Sequence, residues 1–106
     1  MKKIGKFSWA DEEAKVKIYV DLSQFKGVVT ESMVSVKFDE FECNIEVVDE
    51  EDTTHVLNLF KLYEKIEPEK SAFRHSAKRV TITLHKWLET SWKELTRVPT
   101  KAEKKQ

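Results

Sequence analysis

The chain is poor in the residues that punctuate or cross-link a fold. It has one cysteine, Cys43, so no internal disulfide can form, and a reducing compartment, cytoplasmic or nuclear, is the expected setting. Two glycines and two prolines in 106 residues exclude collagen-like or linker-rich composition. They leave most turns to Asp, Glu, Asn and Ser. No apolar run approaches the ~18 residues of a membrane span, so no membrane partner is expected. The lysines of MKKIGKFSWA precede no apolar stretch of the kind a secretory signal needs. Net charge is missing too: 19 Lys and Arg balance 19 Asp and Glu. Without a net basic surface the electrostatic footprint of a nucleic-acid binder is lacking.

Catalytic and metal-binding patterns are equally scarce. There is no G-x-S-x-G, no P-loop and no G-x-G-x-x-G. The three histidines, His55, His75 and His85, and the lone Cys43 have no spacing that would gather them on zinc. Cys43 is the one candidate nucleophile, but its register with Ile45 and Val47 points it inward, where cysteine acts as a small hydrophobe. The carboxylates cluster in the polar turns 11–13 and 49–52, which suits solvation better than paired-carboxylate catalysis. The chain is therefore expected to be no enzyme and to need no cofactor.

What the sequence does have is alternation. Lys15–Leu22 puts Val16, Ile18, Val20 and Leu22 on one face and Lys15, Lys17, Tyr19 and Asp21 on the other, the pattern of a half-buried strand. Met33–Asp39 repeats it with Val34, Val36 and Phe38 inward. Phe41–Val48 follows with Phe41, Cys43, Ile45 and Val47 inward, after a tight turn at Asp39 and Glu40. Arg79–His85 alternates Val80, Ile82 and Leu84 against Thr81, Thr83 and His85. Lys86 ends that alternation, and Trp92 and Leu95, three apart, suggest a short helical turn closing the sandwich. Phe7-Ser8-Trp9, His55–Leu62 and Ala72–His75 complete the strand candidates. A helix through LFKLYEK is the rival for one of these segments. Six or seven short strands with turns at about 8–12-residue spacing predict an all-β antiparallel sandwich or barrel. Residues 1–97 are read as one domain and 98–106, ending in TKAEKKQ, as a flexible polar tail.

With chemistry excluded, binding is what remains. Lys15, Lys17 and Tyr19 stand on one strand face, about 6.7 Å apart. Two cations beside an aromatic suit an acidic protein surface, although a wet sheet face is ordinarily charged and edge lysines also deter aggregation. His85 lies on the outer face of the last strand. Trp87 follows it where no pattern demands burial, as an interface anchor would, unless it covers the core's end. These five residues are the candidate partner contacts.

Four of these segments, in this order, resemble the CS domain family of co-chaperone-like modules. Phe7-Ser8-Trp9 is similar to the family's aromatic-x-Trp start, and VKIYVDL to its first long strand. LYEKIEPE resembles its connector, and VTITL with Trp92 and Leu95 its closing signature. VKIYVDL and VTESMVSVKF are most similar to the calcyclin-binding (Siah-interacting) branch. The resemblance implies a seven-stranded antiparallel β-sandwich without enzymatic activity that works as a protein-interaction module. Its partners would be the ninety-kilodalton heat-shock chaperone or components of ubiquitin-ligase complexes. Alternative roles are a chaperone that holds unfolded clients, or a structural module of a larger adaptor. Where the adaptor branch docks the chaperone through an aromatic and a bulky apolar residue, this chain has Ala10 and Asp21.

Overall fold

The computed structural model describes residues 2–97; the expected tail, 98–106, lies outside the described residues. Two four-stranded sheets face each other. The strands are β1 (Lys2–Lys3), β2 (Phe7–Asp11), β3 (Lys15–Asp21), β4 (Val34–Asp39), β5 (Glu42–Val48), β6 (Thr54–Phe60), β7 (Ala72–His75) and β8 (Arg79–His85). One sheet has the order β1-β6-β5-β4 and the other β2-β3-β8-β7. The all-β sandwich therefore stands, with eight strands instead of seven. The additional one, β1, pairs parallel to β6, the single parallel ladder among the described strands. Two lysines carry no alternation to read, so this strand had no sequence signal.

The core forms where the predicted apolar faces meet. Val16, Ile18 and Val20 on β3 lie directly opposite Leu84, Ile82 and Val80 on β8, and all six are fully buried. Cys43, Ile45 and Val47 on β5 supply the facing layer. At roughly 1.5–3 kcal/mol for each fully buried aliphatic side chain, this double layer is the main source of stability.

Four local readings, that of Lys86 among them, need correction, and the rival helix falls away. Phe41 is 44% exposed, because Asp39 pairs with Glu42 and Phe41 occupies the hairpin turn instead of the strand. Met33 belongs to a 3₁₀ turn (Glu31–Met33) that precedes β4. The rival helix through LFKLYEK is absent, and the strand expected over His55–Leu62 is there as β6. β6 stops at Phe60, Lys61 takes a left-handed backbone (φ 56°), and the reversal of direction lets Leu62 bury completely. Finally, residues 87–95 form no helical turn. Trp92 and Leu95 are nonetheless buried, so the closing role holds in an irregular segment.

That segment is held by Lys86, which does not end the alternation but continues it inward. Its side chain is 1% exposed. Its Nζ lies 2.7 Å from Asp11 Oδ1 and donates to the Thr90 carbonyl, while its backbone N–H donates to the Ala14 carbonyl at 2.9 Å. A buried ammonium is tolerated only with such partners. Asp11 is less enclosed, at 28%, so the two halves of the pair are unequal.

At the other end, Asp49 and His55 form a second enclosed polar pair. His55 Nε2 lies 2.9 Å from Asp49 Oδ2, and Asp49 Oδ1 accepts from the Glu51 and Thr53 N–H groups at 2.9 and 3.0 Å. The Phe25 ring packs edge-on against His55 at 4.8 Å. The hydrogen bond from His55, followed by those from Thr53 and Glu51, outweighs burial and holds the Asp49 carboxyl below the usual carboxylate range. Nearby, Gly27 has φ +75°, and the Glu50 carboxyl occupies the space of a Cβ there while accepting from the Val28 N–H at 2.7 Å.

Two outcomes are expected from these pairs. Asp11→Ala strands the Lys86 charge in the core and should cost on the order of 3 kcal/mol, whereas Lys86→Met leaves a carboxylate that water can reach and should cost less than about 1 kcal/mol. Urea midpoints of the two variants check this; equal losses would show that the ion pair is not what matters. The lowered Asp49 pKa means that its stabilisation is full above the ordinary carboxylate value of about 4 and is lost as pH falls through the lower native value. Asp49→Asn should therefore flatten the stability-versus-pH curve below about pH 4, measured by thermal unfolding.

Candidate interaction surface

The ladder between β3 and β8 decides which of the candidate residues meet. Lys15 lies opposite His85, Lys17 opposite Thr83, Tyr19 opposite Thr81, and Asp21 opposite Arg79. On the other flank Ser8 faces Tyr19 and Ala10 faces Lys17. On the far strand Ala72 faces Thr83 and Arg74 faces Thr81. The outer face of this sheet is thus a flat field of small side chains (Ser8, Ala10, Ala72, Thr81, Thr83) from which Lys15, Lys17, Arg74 and Arg79 project beside Tyr19. Among the described residues, none of these four cations belongs to an ion pair.

Four of the five predicted contacts come together. Lys15, Lys17, Tyr19 and His85 share the face, and the His85 Nδ1 lies 3.2 Å from Glu67 Oε2. Trp87 does not join them in the ladder. It sits beyond the end of β8, 53% exposed, with its backbone N–H donating to the Lys65 carbonyl at 3.1 Å and Lys65 Nζ 4.7 Å from its ring centre.

Arg79, like Arg74, lies on this face without having been named among the candidates. Its guanidinium lies 4.8 Å from the centre of the Tyr19 ring, a cation–π geometry. The signal was available: Arg79 has the same parity as Thr81, Thr83 and His85. Its partner could be named only once the register was known. Tyr19, Arg79, Lys6, Lys78 and Asp21 border a shallow depression of about 590 Å³. The Asp21 carboxyl there is held below its usual range chiefly by hydrogen bonding to Ser23, whose N–H lies 2.8 Å away, with Lys6 adding to the effect.

Among the described residues no group of three His, Cys, Asp or Glu side chains is placed to hold a metal ion. Cys43 is fully buried, and burial pushes its thiol up to about 12, far from a reactive thiolate. Among the described residues no helix is long and apolar enough to cross a membrane.

The described residues form a two-sheet β-sandwich with an open basic face. The chain matches the CS domain family over residues 5–86, most of its length, and it belongs to that family. Among solved structures it is similar to the CS domain of human KIAA1068 protein, with 22% identity and a TM-score of 0.73, covering 88% of this chain and 73% of that one. It is also similar to the nuclear movement protein from E. cuniculi GB-M1, with 12% identity and a TM-score of 0.64, over 87% of this chain and 99% of that one. Heat shock protein 16.0 from Schizosaccharomyces pombe shares the fold as well, with 17% identity and a TM-score of 0.63, over 89% and 96% of the two chains. No curated protein sequence matches.

Cys43 supplies the test of the packing beneath this face. In the native protein at pH 8 a thiol reagent should modify it only as fast as the domain opens, and at once in denaturant. Rapid native labelling would show that β5 is accessible.

Proposed function

We propose that this CS domain is a non-enzymatic protein-interaction module that grips an acidic surface of its partner with the outer face of the β2-β3-β8-β7 sheet. The observation that carries this reading is the cross-strand register, which gathers Lys15, Lys17, Arg74 and Arg79 around Tyr19 on a floor of Ser, Ala and Thr. Small neighbours leave the face flat enough to meet another protein, and cations without internal partners attract a complementary field. Tyr19 adds rigid contact area, and Arg79 across its ring holds it in place. His85 extends the row beside Lys15. Trp87, at the end of the same strand, supplies a separate anchor at the rim.

The partner class we favour is the ninety-kilodalton heat-shock chaperone or a component of a ubiquitin-ligase complex, with residues 1–97 as the interacting unit. Within the family, VKIYVDL and VTESMVSVKF support a place near calcyclin-binding protein. Ala10 and Asp21 stand on the binding face, so the contact here relies on charge where an aromatic pair would rely on burial. A reducing cytoplasmic or nuclear setting suits the single free thiol.

A second reading, in which the domain holds unfolded clients, has one observation behind it: Phe7, Phe41, Phe60, Trp87 and Leu88 are all large and exposed. The two readings part on charge. With both lysines changed, Lys15→Glu and Lys17→Glu, chaperone binding at low salt should weaken by at least tenfold, roughly 1.4 kcal/mol. Amide shifts on titration with the purified chaperone should map to Lys15–Tyr19 and Arg79–His85. Suppression of aggregation of a heated client would be insensitive to the same change. Unchanged chaperone affinity in the double variant would show that this face is not the site.

A further inference from the structure

The depression at one end of the basic face is built by the register. Antiparallel pairing sets the start of β2 and the start of β8 on either side of the end of β3. Asp21 lies opposite Arg79 on one flank, and on the other its N–H donates to the Lys6 carbonyl at 3.2 Å. One step further along, the Leu22 N–H donates to the Lys78 carbonyl at 3.0 Å. Three cations therefore stand around one carboxylate. With neighbouring strands about 4.8 Å apart, Lys6 and Arg79 are roughly 10 Å from each other across Asp21.

Hydrogen bonds tie down the frame that carries these cations. Gln24 accepts from the Lys6 N–H at 3.0 Å and donates to the Lys6 and Asp21 carbonyls at 2.8 and 2.6 Å. The turn that holds Lys78 is closed by Ser76, whose N–H donates to the Arg79 carbonyl at 2.9 Å and whose Oγ accepts from the Arg79 N–H at 3.2 Å. Among the described residues Lys6, Lys78 and Arg79 belong to no ion pair. The Arg79 guanidinium stacks over the Tyr19 ring, and stacking leaves the N–H edge of the fork clear to donate. Asp21 is the one acid among the described residues that line the depression, and its Oδ1 is engaged by the Ser23 N–H at 2.8 Å. Two positive charges are left in excess.

We propose that this depression seats a phosphoserine or phosphothreonine side chain of the partner protein, its phosphate held by Lys6, Lys78 and the Arg79 fork. This rests on the reading of the sheet face as the surface on which the partner lands, and it names what one corner of that surface recognises. A phosphate monoester carries a charge of about −1.5 to −2 and three acceptor oxygens, which match the excess charge and the three cationic groups; a carboxylate supplies about half of that charge. Arg meets phosphate through two parallel hydrogen bonds and Lys as a point charge. The volume is that of a site for a drug-sized group, more than a phosphate ion fills, so residues beside the phosphorylated one enter as well. Phe7, 37% exposed on the wall, suits an apolar residue among them. A lipid headgroup fits less well: membrane-reading segments cluster roughly 4–8 Lys and Arg, and three line this rim. The chain's own TKAEKKQ, with three lysines to one glutamate, has the wrong sign for an occupant. On its other side Phe7 borders an apolar groove with Trp9, Leu57, Leu59 and Phe60, which has no charged wall among the described residues to select a ligand.

The test is a titration of the full chain with the capped peptide Gly-Asp-Gly-phosphoserine-Leu-Gly, followed by amide shifts and by the phosphorus resonance of the peptide. The phosphopeptide should bind at least about tenfold more tightly than the same peptide with serine, and more tightly than one with glutamate in that place. Shifts should centre on Lys6–Ser8, Asp21 and Lys78–Arg79. Lys6→Gln combined with Lys78→Gln alters two exposed side chains and keeps their backbone bonds. This variant should retain the folded spectrum and lose most of the phosphate gain, while the serine peptide's weak binding barely moves. Comparison of the three peptides on the unaltered protein stands whether or not the variant folds. The proposal is overturned if the three peptides bind alike or if the gain survives in the double variant. It is also overturned if inorganic phosphate at equal concentration moves the same signals as far, which would mark a small-anion site. Capture by equimolar phosphatidylcholine–phosphatidylserine vesicles in preference to the phosphopeptide would overturn it in favour of a membrane surface. Absence of the gain, while Lys15→Glu with Lys17→Glu still weakens chaperone binding, overturns the phosphate site alone and leaves the basic face standing.

Discussion

The seven-residue ladder between β3 and β8 is the constraint from which the rest of the molecule follows. It aligns Val16, Ile18 and Val20 with Leu84, Ile82 and Val80, and the six side chains seal the centre of one sheet completely. A slip by one residue would turn every one of them to water. Loss of that burial, at a few kcal/mol for each large side chain, exceeds what any surface contact in the domain could restore. The same register, read on the opposite face, sets Lys15 beside His85 and Arg79 over Tyr19. Core and basic face are two sides of one alignment.

Two polar pairs close the ends of this frame. Lys86 ties β8 to Asp11 on β2 and to Thr90 in the closing segment, so that Trp92 and Leu95 can cover the core without a helix to carry them. Asp49 and His55 fasten the opposite end, where Phe25 and the turn at Gly27 meet β5 and β6. Both devices place polar groups where burial alone would disfavour them, and both meet the cost with hydrogen bonds. They also specify where irregular chain lies, which hydrophobic burial, being non-directional, does not.

The edges of the sandwich are less uniform than its centre. Edge strands expose unpaired backbone groups, and among the described residues β1, two residues long, covers only the start of the β6 edge. Gly5 and Lys6 carry the chain from one sheet to the other and leave the groove behind them. Among the described residues a charged depression and an apolar groove thus meet at Phe7.

Alternation alone determined the fold class, four of the long strands and most of the core, because a period of two sorts residues by face without knowledge of their neighbours. It also set Lys15, Lys17 and Tyr19 on one wet face. Alternation failed where position depends on something distant. Phe41 follows the period but sits in a turn, since the Asp39–Glu42 pairing ends the ladder first. Lys86 breaks the apolar pattern but is buried, since Asp11 waits for it across the sheet. β1 has no pattern at all and exists because β6 offers an edge. The meeting of Arg79 with Tyr19, and the groove beside Leu57–Phe60, were likewise decided only by tertiary structure. Each depends on which strands become neighbours, and that is settled by how two whole sheets bury their apolar faces together, not by any one segment.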